Sequence, residues 1–244
     1  MSKTVAAAVL LLATASAAQA DITVFTSGGT NPGLQTLSVA WMAETGKKVT
    51  IVGGTVTRAR DNVKSKTPGD LVLLPLPDLK DVASNLKPGP FTPIGRANFD
   101  LAVKTGAPHP DISTLPKFIA VLKAGSGVGF TDPTRGSAAG KMIAELLARP
   151  AFAGVKTVPT AGTPGQAIAR DGVQYALGPT SEEVTVPGVE VVGPMPKEIE
   201  MHFDYTGAVT GYAAQPDEAA AFLAYITRPQ AQTVWKSTGL EKLP

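Results

Sequence analysis

ITVFTSGGTNPGLQTLSVAWMAETGK, residues 22–47, decides the fold class. A short run with β-branched residues ends at a pair of glycines, and an amphipathic stretch follows it directly. Asn31 is the predicted N-cap of this helix, Pro32 its first helical residue and Gly46 its end. A strand followed at once by a helix is the first unit of an α/β protein.

The same alternation continues toward residue 80. KVTIVGG (48–54) is a second strand that ends at glycines, and VTRARDNVKSK (56–66) is a polar helix. DLVLLP (70–75) is almost entirely apolar, which is typical of a strand in a parallel sheet covered on both faces. This part of the chain therefore predicts the order β-α-β-α-β.

The second half predicts a similar unit. GVGFT (127–131) leads into a helix at SAAGKMIAELLARP, and VKTVP, TPGQAIARDG and VQYALG predict strand, helix and strand. Two long strand patterns, IGRANFDLAVKTG (94–106) and EMHFDYTGAVTGYA (200–213), separate the halves, and two helices end the chain. The sequence thus predicts an α/β fold of two mostly parallel-sheet lobes joined by two crossing strands. Lobe 1 is predicted to comprise residues 21–95 and 206–244, and lobe 2 residues 96–205.

The first twenty residues have the pattern of a cleaved signal peptide. Lys3 precedes a short apolar run, and AQA ending at Ala20 is a small-x-small cleavage site. A retained membrane anchor is the alternative, but the run is too short to span a bilayer. We therefore expect cleavage after Ala20, export to the periplasm and no direct membrane insertion.

Composition excludes several classes of function. The chain has no cysteine, so it has no disulfide scaffold, thiol nucleophile, cysteine-ligated metal or lipid-modified N-terminal cysteine. Its 22 basic and 20 acidic residues nearly balance, and no long basic run is present, which does not favour nucleic acid as a partner. We expect neither a metal nor a cofactor.

Four polar turns follow predicted strands: TSGGTN (26–31), GGTVTR (53–58), DPTRGS (132–137) and GPTSEE (178–183). In open parallel sheets ligands bind beyond the carboxyl ends of the strands, where hydroxyls, glycine backbone and helix N-termini suit an anion. For any single hydroxyl, ordinary helix capping is the favoured explanation. Taken together the turns predict an anion site, with contacts from Ser27, Gly28, Thr55, Arg135, Gly136, Ser137, Thr180 and Ser181.

Arg135 gives this predicted site a positive charge. A planar guanidinium can form a bidentate pair with a carboxylate. A surface salt bridge or a solvated turn is the alternative for Arg135. Arg58 and Arg60 raise the same question, although their stretch also has the pattern of a solvated helix face.

Signals of catalysis are few. The sequence contains no G-x-S-x-G, P-loop or H-E-x-x-H motif. His202 lies beside Asp204 and Tyr205, but neighbours along a strand point to opposite faces, and chance is the favoured explanation for this cluster. Glu182 and Glu183 lie at a predicted helix start, where acidic residues more often cap the helix or remain solvated. No catalytic residue is assigned from the sequence.

Several segments together resemble a known family. They are the signal peptide, the strand–SGG–helix opening, TGKKVTIVGGT, TPGDLVLLP, FTDPTRGSAAG, PGVEVVGPMP and the tail AAAFLAYITRPQAQTVWKSTGLE. In this order the chain resembles the type II periplasmic solute-binding proteins, and most of all their molybdate-binding-protein-like group. The resemblance implies two α/β lobes that close on a small anionic ligand and deliver it to a membrane-bound ABC permease.

The resemblance also implies where the ligand binds. The family's ligand turns fall on Ser27–Gly28, on Thr55, on the Arg135–Ser137 turn and near Tyr205. TSGGT has one serine where molybdate binders have a hydroxyl-rich run, and Arg135 adds a charge. Both departures favour an organic carboxylate over a molybdate-type oxyanion.

An enzyme is the alternative that the resemblance leaves open. The same group includes aconitate isomerase, an exported enzyme that interconverts trans- and cis-aconitate. A cofactor-free isomerase of this kind needs cationic clamps, for which Arg135, Arg58 and Arg60 are available. It also needs a group that moves an allylic proton, and Tyr205, His202 and Glu182 are the candidates. A ligand sensor that docks to a membrane receptor is a third hypothesis.

Overall fold

The computed structural model describes residues 21–243, so the predicted signal peptide lies outside the described residues. The strands are β1 (Ile22–Thr26), β2 (Val49–Val52), β3 (Leu71–Pro75), β4 (Thr92–Lys104), β5 (Val128–Thr131), β6 (Thr157–Thr160), β7 (Tyr175–Pro179), β8 (Val189–Pro194) and β9 (His202–Val209). The α-helices are α1 (Asn31–Thr45), α2 (Val56–Lys64), α3 (Leu76–Lys80), α4 (Leu115–Ala124), α5 (Ala138–Leu147), α6 (Pro164–Asp171), α7 (Pro216–Thr227) and α8 (Ala231–Ser237).

The strands form one curled sheet in the order β2-β1-β3-β9-β4-β7-β5-β6, with β8 also paired to β4. Pairing is parallel among β1, β2 and β3, and again among β5, β6 and β7. The pairs that involve β4 or β9 are antiparallel. The α/β fold of two mostly parallel units joined by two long strands is confirmed.

The opening β-α-β-α-β order is confirmed with one shift at a helix start. Helix α1 begins at Asn31, so Thr30 rather than Asn31 is its N-cap, and Pro32 lies in the first turn. Gly46 ends the helix as predicted, in the left-handed conformation at φ 71°. Leu34 and Trp41 face the core, so the apolar stripe of the helix packs on the sheet.

Strands β4 and β9 carry the chain between the two units. The first half of β4, Thr92 to Asn98, pairs with β9, whereas its second half pairs with β7 and β8. Arg96 on β4 donates to both carboxylate oxygens of Asp204 on β9, from Nε at 2.6 Å and from Nη2 at 2.8 Å. This bidentate pair holds the two crossing strands in register.

Buried clusters lie on both sides of this crossing. Two clusters draw their buried residues from 22–97 and 205–240, and two others from 99–199. Phe203 packs against a cluster of each side. The exact boundaries of lobe 1 and lobe 2 stay a prediction, and the two names are used below for these two sides.

Three elements were not predicted: helices α3 and α4 and strand β8. Helix α4 lies in LPKFIAVLKA, where the buried Phe118 and Leu122 mark its apolar face. Strand β8 runs antiparallel to the second half of β4 and widens the lobe 2 sheet. Within residues 21–243, no helix is long and apolar enough to cross a membrane.

Candidate functional site

A cavity of about 270 Å³ lies between the two lobes, at the carboxyl ends of the parallel strands. Its walls come from the turns that follow β1 and β2 in lobe 1 and β5, β6 and β7 in lobe 2, and its floor from β9. This is where the arrangement of an open parallel sheet places a ligand.

The lobe 1 wall consists of the predicted turns after β1 and β2. Ser27 and Gly28 line the cavity, and Ser27 Oγ lies 3.4 Å from the hydroxyl of Tyr205. Thr55 lines it beside Gly54 and is the N-cap of α2, where its hydroxyl accepts from the Arg58 N–H at 3.1 Å. Thr55 therefore caps a helix and faces the cavity at once.

The lobe 2 wall begins at the predicted turn after β5. Ser137 caps α5, because its hydroxyl accepts from the Gly140 N–H at 3.0 Å, and it lines the cavity with Ala138 and Ala139. A Cβ at Gly140 would collide with the carbonyl of Thr131, so this glycine allows the helix start to approach β5 closely.

The rest of this wall is a turn that the sequence analysis missed. Gly162, Thr163 and Gln166 line the cavity at the start of α6, whose N-cap is Thr163. The Gln166 side chain accepts from the Thr163 N–H at 3.3 Å. The T-x-x-Q spacing in TPGQ is a capping-box signal that could have found this turn.

Three helix N-termini thus converge on one cavity, those of α2, α5 and α6. The first-turn N–H groups of a helix have no acceptor within the helix, and the helix dipole places partial positive charge there. The cavity is therefore electrostatically suited to an anion.

The floor of the cavity is aromatic. Phe203 and Tyr205 line it from β9, with their ring centroids 6.0 Å apart. Burial raises the pKa of the Tyr205 phenol, so it stays a neutral hydroxyl that can donate to a ligand.

One carboxylic acid, Glu182, faces the cavity from the 3₁₀ turn Thr180–Glu182 that follows β7. Its Oε1 lies 2.8 Å from the point that a Cβ on Gly28 would occupy, so the side chain crosses from lobe 2 to lobe 1. Burial raises the pKa of this carboxyl to about 7. Glu182 is therefore divided between acid and carboxylate near neutral pH.

An outer chamber of about 570 Å³ adjoins this cavity and shares Thr55, Thr131 and Ser137 with it. Arg58 of lobe 1 and Arg135 of lobe 2 line it, and both are exposed. Among the described residues neither arginine forms a salt bridge. Arg135 therefore lies at the mouth of the cleft and not at the inner cavity.

Three other predicted contacts lie outside the cavity lining. The Thr180 hydroxyl donates to the carbonyl of Asn98 and to the carboxylate of Asp100. Ser181, the middle residue of the same turn, is fully buried. Gly136 lies at the junction of the lobes, where a Cβ would be 3.7 Å from Thr55 Oγ1.

The remaining candidates for proton transfer or charge lie elsewhere. His202 is exposed, 3.9 Å from Asp204 Oδ2, in a different depression. Arg60 pairs with Asp78 at 3.2 Å. Of the three proposed proton-transfer groups, Glu182 and Tyr205 face the cavity and His202 does not.

A family model decides the class of protein. The model of the bacterial extracellular solute-binding proteins matches residues 22–241. The chain belongs to this family. The resemblance to periplasmic solute-binding proteins is confirmed, and binding of a small solute is the function that the family has in common.

Comparison with individual proteins gives relatives that are similar in sequence or in fold. Over 236 residues, covering 91% of this chain and 88% of that protein, the chain is 28% identical to aconitate isomerase from Pseudomonas sp. The molybdate-binding protein of Azotobacter vinelandii superposes with a TM-score of 0.69 at 15% identity, over 91% of this chain and 99% of that one. A sulfate-binding protein of Mycobacterium tuberculosis gives 0.72 at 17% identity, over 91% and 87%.

Proposed function

We propose that this solute-binding protein closes its two lobes on a small organic carboxylate and delivers it to an ABC permease in the membrane. The observation that carries the proposal is the convergence of the N-termini of α2, α5 and α6 on one cavity between the lobes. Oriented backbone N–H groups and hydroxyls replace the water around an anion without a buried counter-charge.

The arginines at the mouth support a carboxylate over a compact oxyanion. The inner cavity holds neutral donors, which suit either ligand, whereas Arg58 and Arg135 offer two guanidinium groups in the adjoining chamber. A ligand with a second anionic group can reach them, and a planar carboxylate matches the guanidinium fork.

Export and transport fit the same proposal. The signal-peptide pattern of residues 1–20 with cleavage after Ala20 supports a periplasmic protein. The structural relatives include proteins that bind molybdate and sulfate, and a substrate-binding domain of a putative molybdenum ABC transporter. A periplasmic protein that binds a solute for uptake needs a membrane partner to carry that solute across the inner membrane, and an ABC permease is such a partner.

A thermal-shift panel tests the proposal. Sulfate, molybdate, succinate, citrate and trans-aconitate are each added to the purified protein, and binding is then measured by calorimetry. A ligand that binds only the folded state raises the melting temperature. We expect di- or tricarboxylates to give the largest shift, and a protein that binds none of these anions contradicts the proposal.

A cofactor-free isomerase is the second candidate function. It is favoured by the relative named aconitate isomerase and by Glu182, an acid with a pKa near 7 that faces the cavity. In an allylic isomerisation, an ionised Glu182 would accept a proton from the methylene carbon. It would return that proton to the far carbon as the double bond shifts. The reaction needs no oxidant or metal.

Ultraviolet absorbance separates the two functions. Purified protein at high concentration is mixed with trans-aconitate, and the appearance of cis-aconitate is followed with time. Turnover that is lost in Glu182→Gln but kept in the exposed control Glu145→Gln supports the isomerase. Binding without turnover leaves the solute-binding function alone.

A further inference from the structure

Glu182 presents an electrostatic problem at the centre of the proposed anion site. It is the carboxyl that lines the cavity otherwise formed by helix N-termini and hydroxyls. A carboxylate at this position would repel an anionic ligand in a low-dielectric cleft. A neutral carboxylic acid at the same position would instead offer an O–H donor.

The side chain is held in the cavity by its surroundings. The turn Thr180–Glu182 is fixed because the Thr180 hydroxyl donates to the carbonyl of Asn98 on β4. From this turn the carboxyl reaches Gly28, where a Cβ would lie 2.8 Å from Oε1. Glu182 therefore forms part of the junction between the lobes.

The charged and titratable groups around Glu182 favour its neutral form. Behind it Glu183 is completely buried, with neither carboxylate oxygen partnered among the described residues. Asp100 on β4 adds a third carboxyl, and burial together with the charges of Asp100 and Glu182 raises the pKa of Glu183.

Among the residues that the structure describes, no basic side chain lines the cavity to offset these acids. From β9 the neighbour is the neutral hydroxyl of Tyr205, and the arginines 58 and 135 lie in the outer chamber. The turns after β1 and β6 and the starts of α2, α5 and α6 supply only neutral groups to the lining. In the described part of the chain, the Glu182 carboxyl forms no hydrogen bond or ion pair within the protein.

From this geometry we infer that Glu182 contacts the ligand as a neutral carboxylic acid, donating a hydrogen bond to an anionic oxygen, so that binding takes up a proton. The inference rests on the proposed anion-binding function and adds a specificity residue to it. The site then prefers ligands with an ionised oxygen at the inner end, and affinity falls as the pH rises.

The direction and size of the effect follow from proton linkage. The Glu182 pKa of about 7 moves upward when an anion binds beside it. Ligand binding then competes with ionisation of Glu182, so Kd rises roughly 25-fold between pH 6.5 and 8.5 if the pKa in the complex exceeds this range. At pH 7 binding takes up about half a proton per ligand.

Titration calorimetry with trans-aconitate and with sulfate tests the inference. Sulfate stays fully ionised across this range, so it removes titration of the ligand as an explanation. The number of protons taken up is measured from the binding enthalpy in two buffers of different ionisation enthalpy. This measurement uses the unmodified protein and does not depend on any variant folding.

Two variants assign the proton to its residue. Glu182→Gln keeps an N–H donor but cannot titrate, and we expect its Kd to vary less than about two-fold with pH. Glu145→Gln, an exposed residue on α5, serves as the matched control and keeps the parent's pH dependence.

The outcomes separate this inference from the proposed function. If neither anion binds at any pH, the anion-binding function itself is wrong. If an anion binds with an affinity that is flat in pH, or that improves as the pH rises, the neutral Glu182 contact is overturned. Proton uptake that persists in Glu182→Gln overturns the assignment to this residue.

Discussion

At the scale of single residues, the site separates into neutral contacts inside and positive charge outside. Ser27, Thr55 and Ser137 line the inner cavity, and Arg135 lines only the chamber at its mouth. A compact oxyanion in the inner cavity would not need the guanidinium, whereas a longer carboxylate could reach it.

Arg135→Ala measures how far the ligand extends. We expect binding of citrate or trans-aconitate to weaken by about 1.5 kcal/mol, the lower end for a charged hydrogen bond because Arg135 is exposed. Sulfate binding is expected to change little. Arg149→Ala is the matched control, since this exposed arginine follows the opposite end of α5. Carboxylate affinity equal to that of the parent protein would leave Arg135 as part of a turn.

Glu182 also makes stability depend on pH. The carboxyl has its ordinary pKa of 4.5 when unfolded and about 7 when folded, so unfolding releases a proton between these values. Its favourable contribution is complete below pH 4.5 and is lost as the pH rises through 7. We expect Glu182→Gln to melt at a higher temperature than the parent at pH 8, with no such gain at pH 4. Melting curves for Glu145→Gln should follow the parent at both pH values, and an equal gain at pH 4 would argue against a titration effect.

At the scale of helices and strands, the sequence patterns predicted more of the fold than of the candidate site. The opening β-α-β-α-β order and both crossing strands follow from periodicity and glycine stops. Helix α4 was missed although Phe118 and Leu122 mark its face, and β8 was missed because its pairing with β4 is not local.

The candidate site, like the fold, could be predicted only in part from the sequence. Turns after strands are visible in the sequence, so Ser27, Thr55 and Ser137 could be predicted as neighbours. Which side chain of a turn faces the cavity depends on the turn's conformation. In the turn Thr180–Glu182, Thr180 bonds to β4 and Glu182 reaches the cavity, which no pattern in GPTSEE indicates.

The segment after α8 packs against the turn Thr180–Glu182. A Cβ on Gly239 would lie 2.6 Å from the backbone N of Ser181, so the segment after α8 packs directly on the turn that carries Glu182. Gly239→Ala is expected to displace the turn and weaken anion binding several-fold. The measurement is calorimetry with trans-aconitate.

Gly154→Ala is the control for the backbone strain that Gly239→Ala introduces. Both glycines have positive φ, 86° and 91°, but a Cβ on Gly154 meets no atom within 4 Å. Both variants place a non-glycine residue in the left-handed conformation, but only the alanine at position 239 collides with Ser181. If both lower affinity equally, strain or general destabilisation explains the loss, and the contact with Ser181 does not.

At the scale of the whole molecule, the lobes meet at more than the crossing strands. Glu182 reaches Gly28 across the cavity, and the Arg135 turn approaches the start of α2 at its mouth. These contacts narrow the mouth of the inner cavity, and we expect the lobes to separate there when a ligand enters.

An engineered disulfide across the mouth tests this motion. A Cβ on Gly136 of lobe 2 would lie 3.9 Å from the Cβ of Thr57 on α2, within the range for a disulfide. Because the chain has no cysteine of its own, the pair Thr57→Cys with Gly136→Cys has no competing partner. We expect oxidation to slow both association and dissociation of trans-aconitate, and reduction to restore them, since the lobes can then separate again. The single variant Gly136→Cys controls for the strain at φ 78°. Exchange rates that stay the same in the oxidised protein would mean that ligands reach the cavity without separation of the lobes at this point.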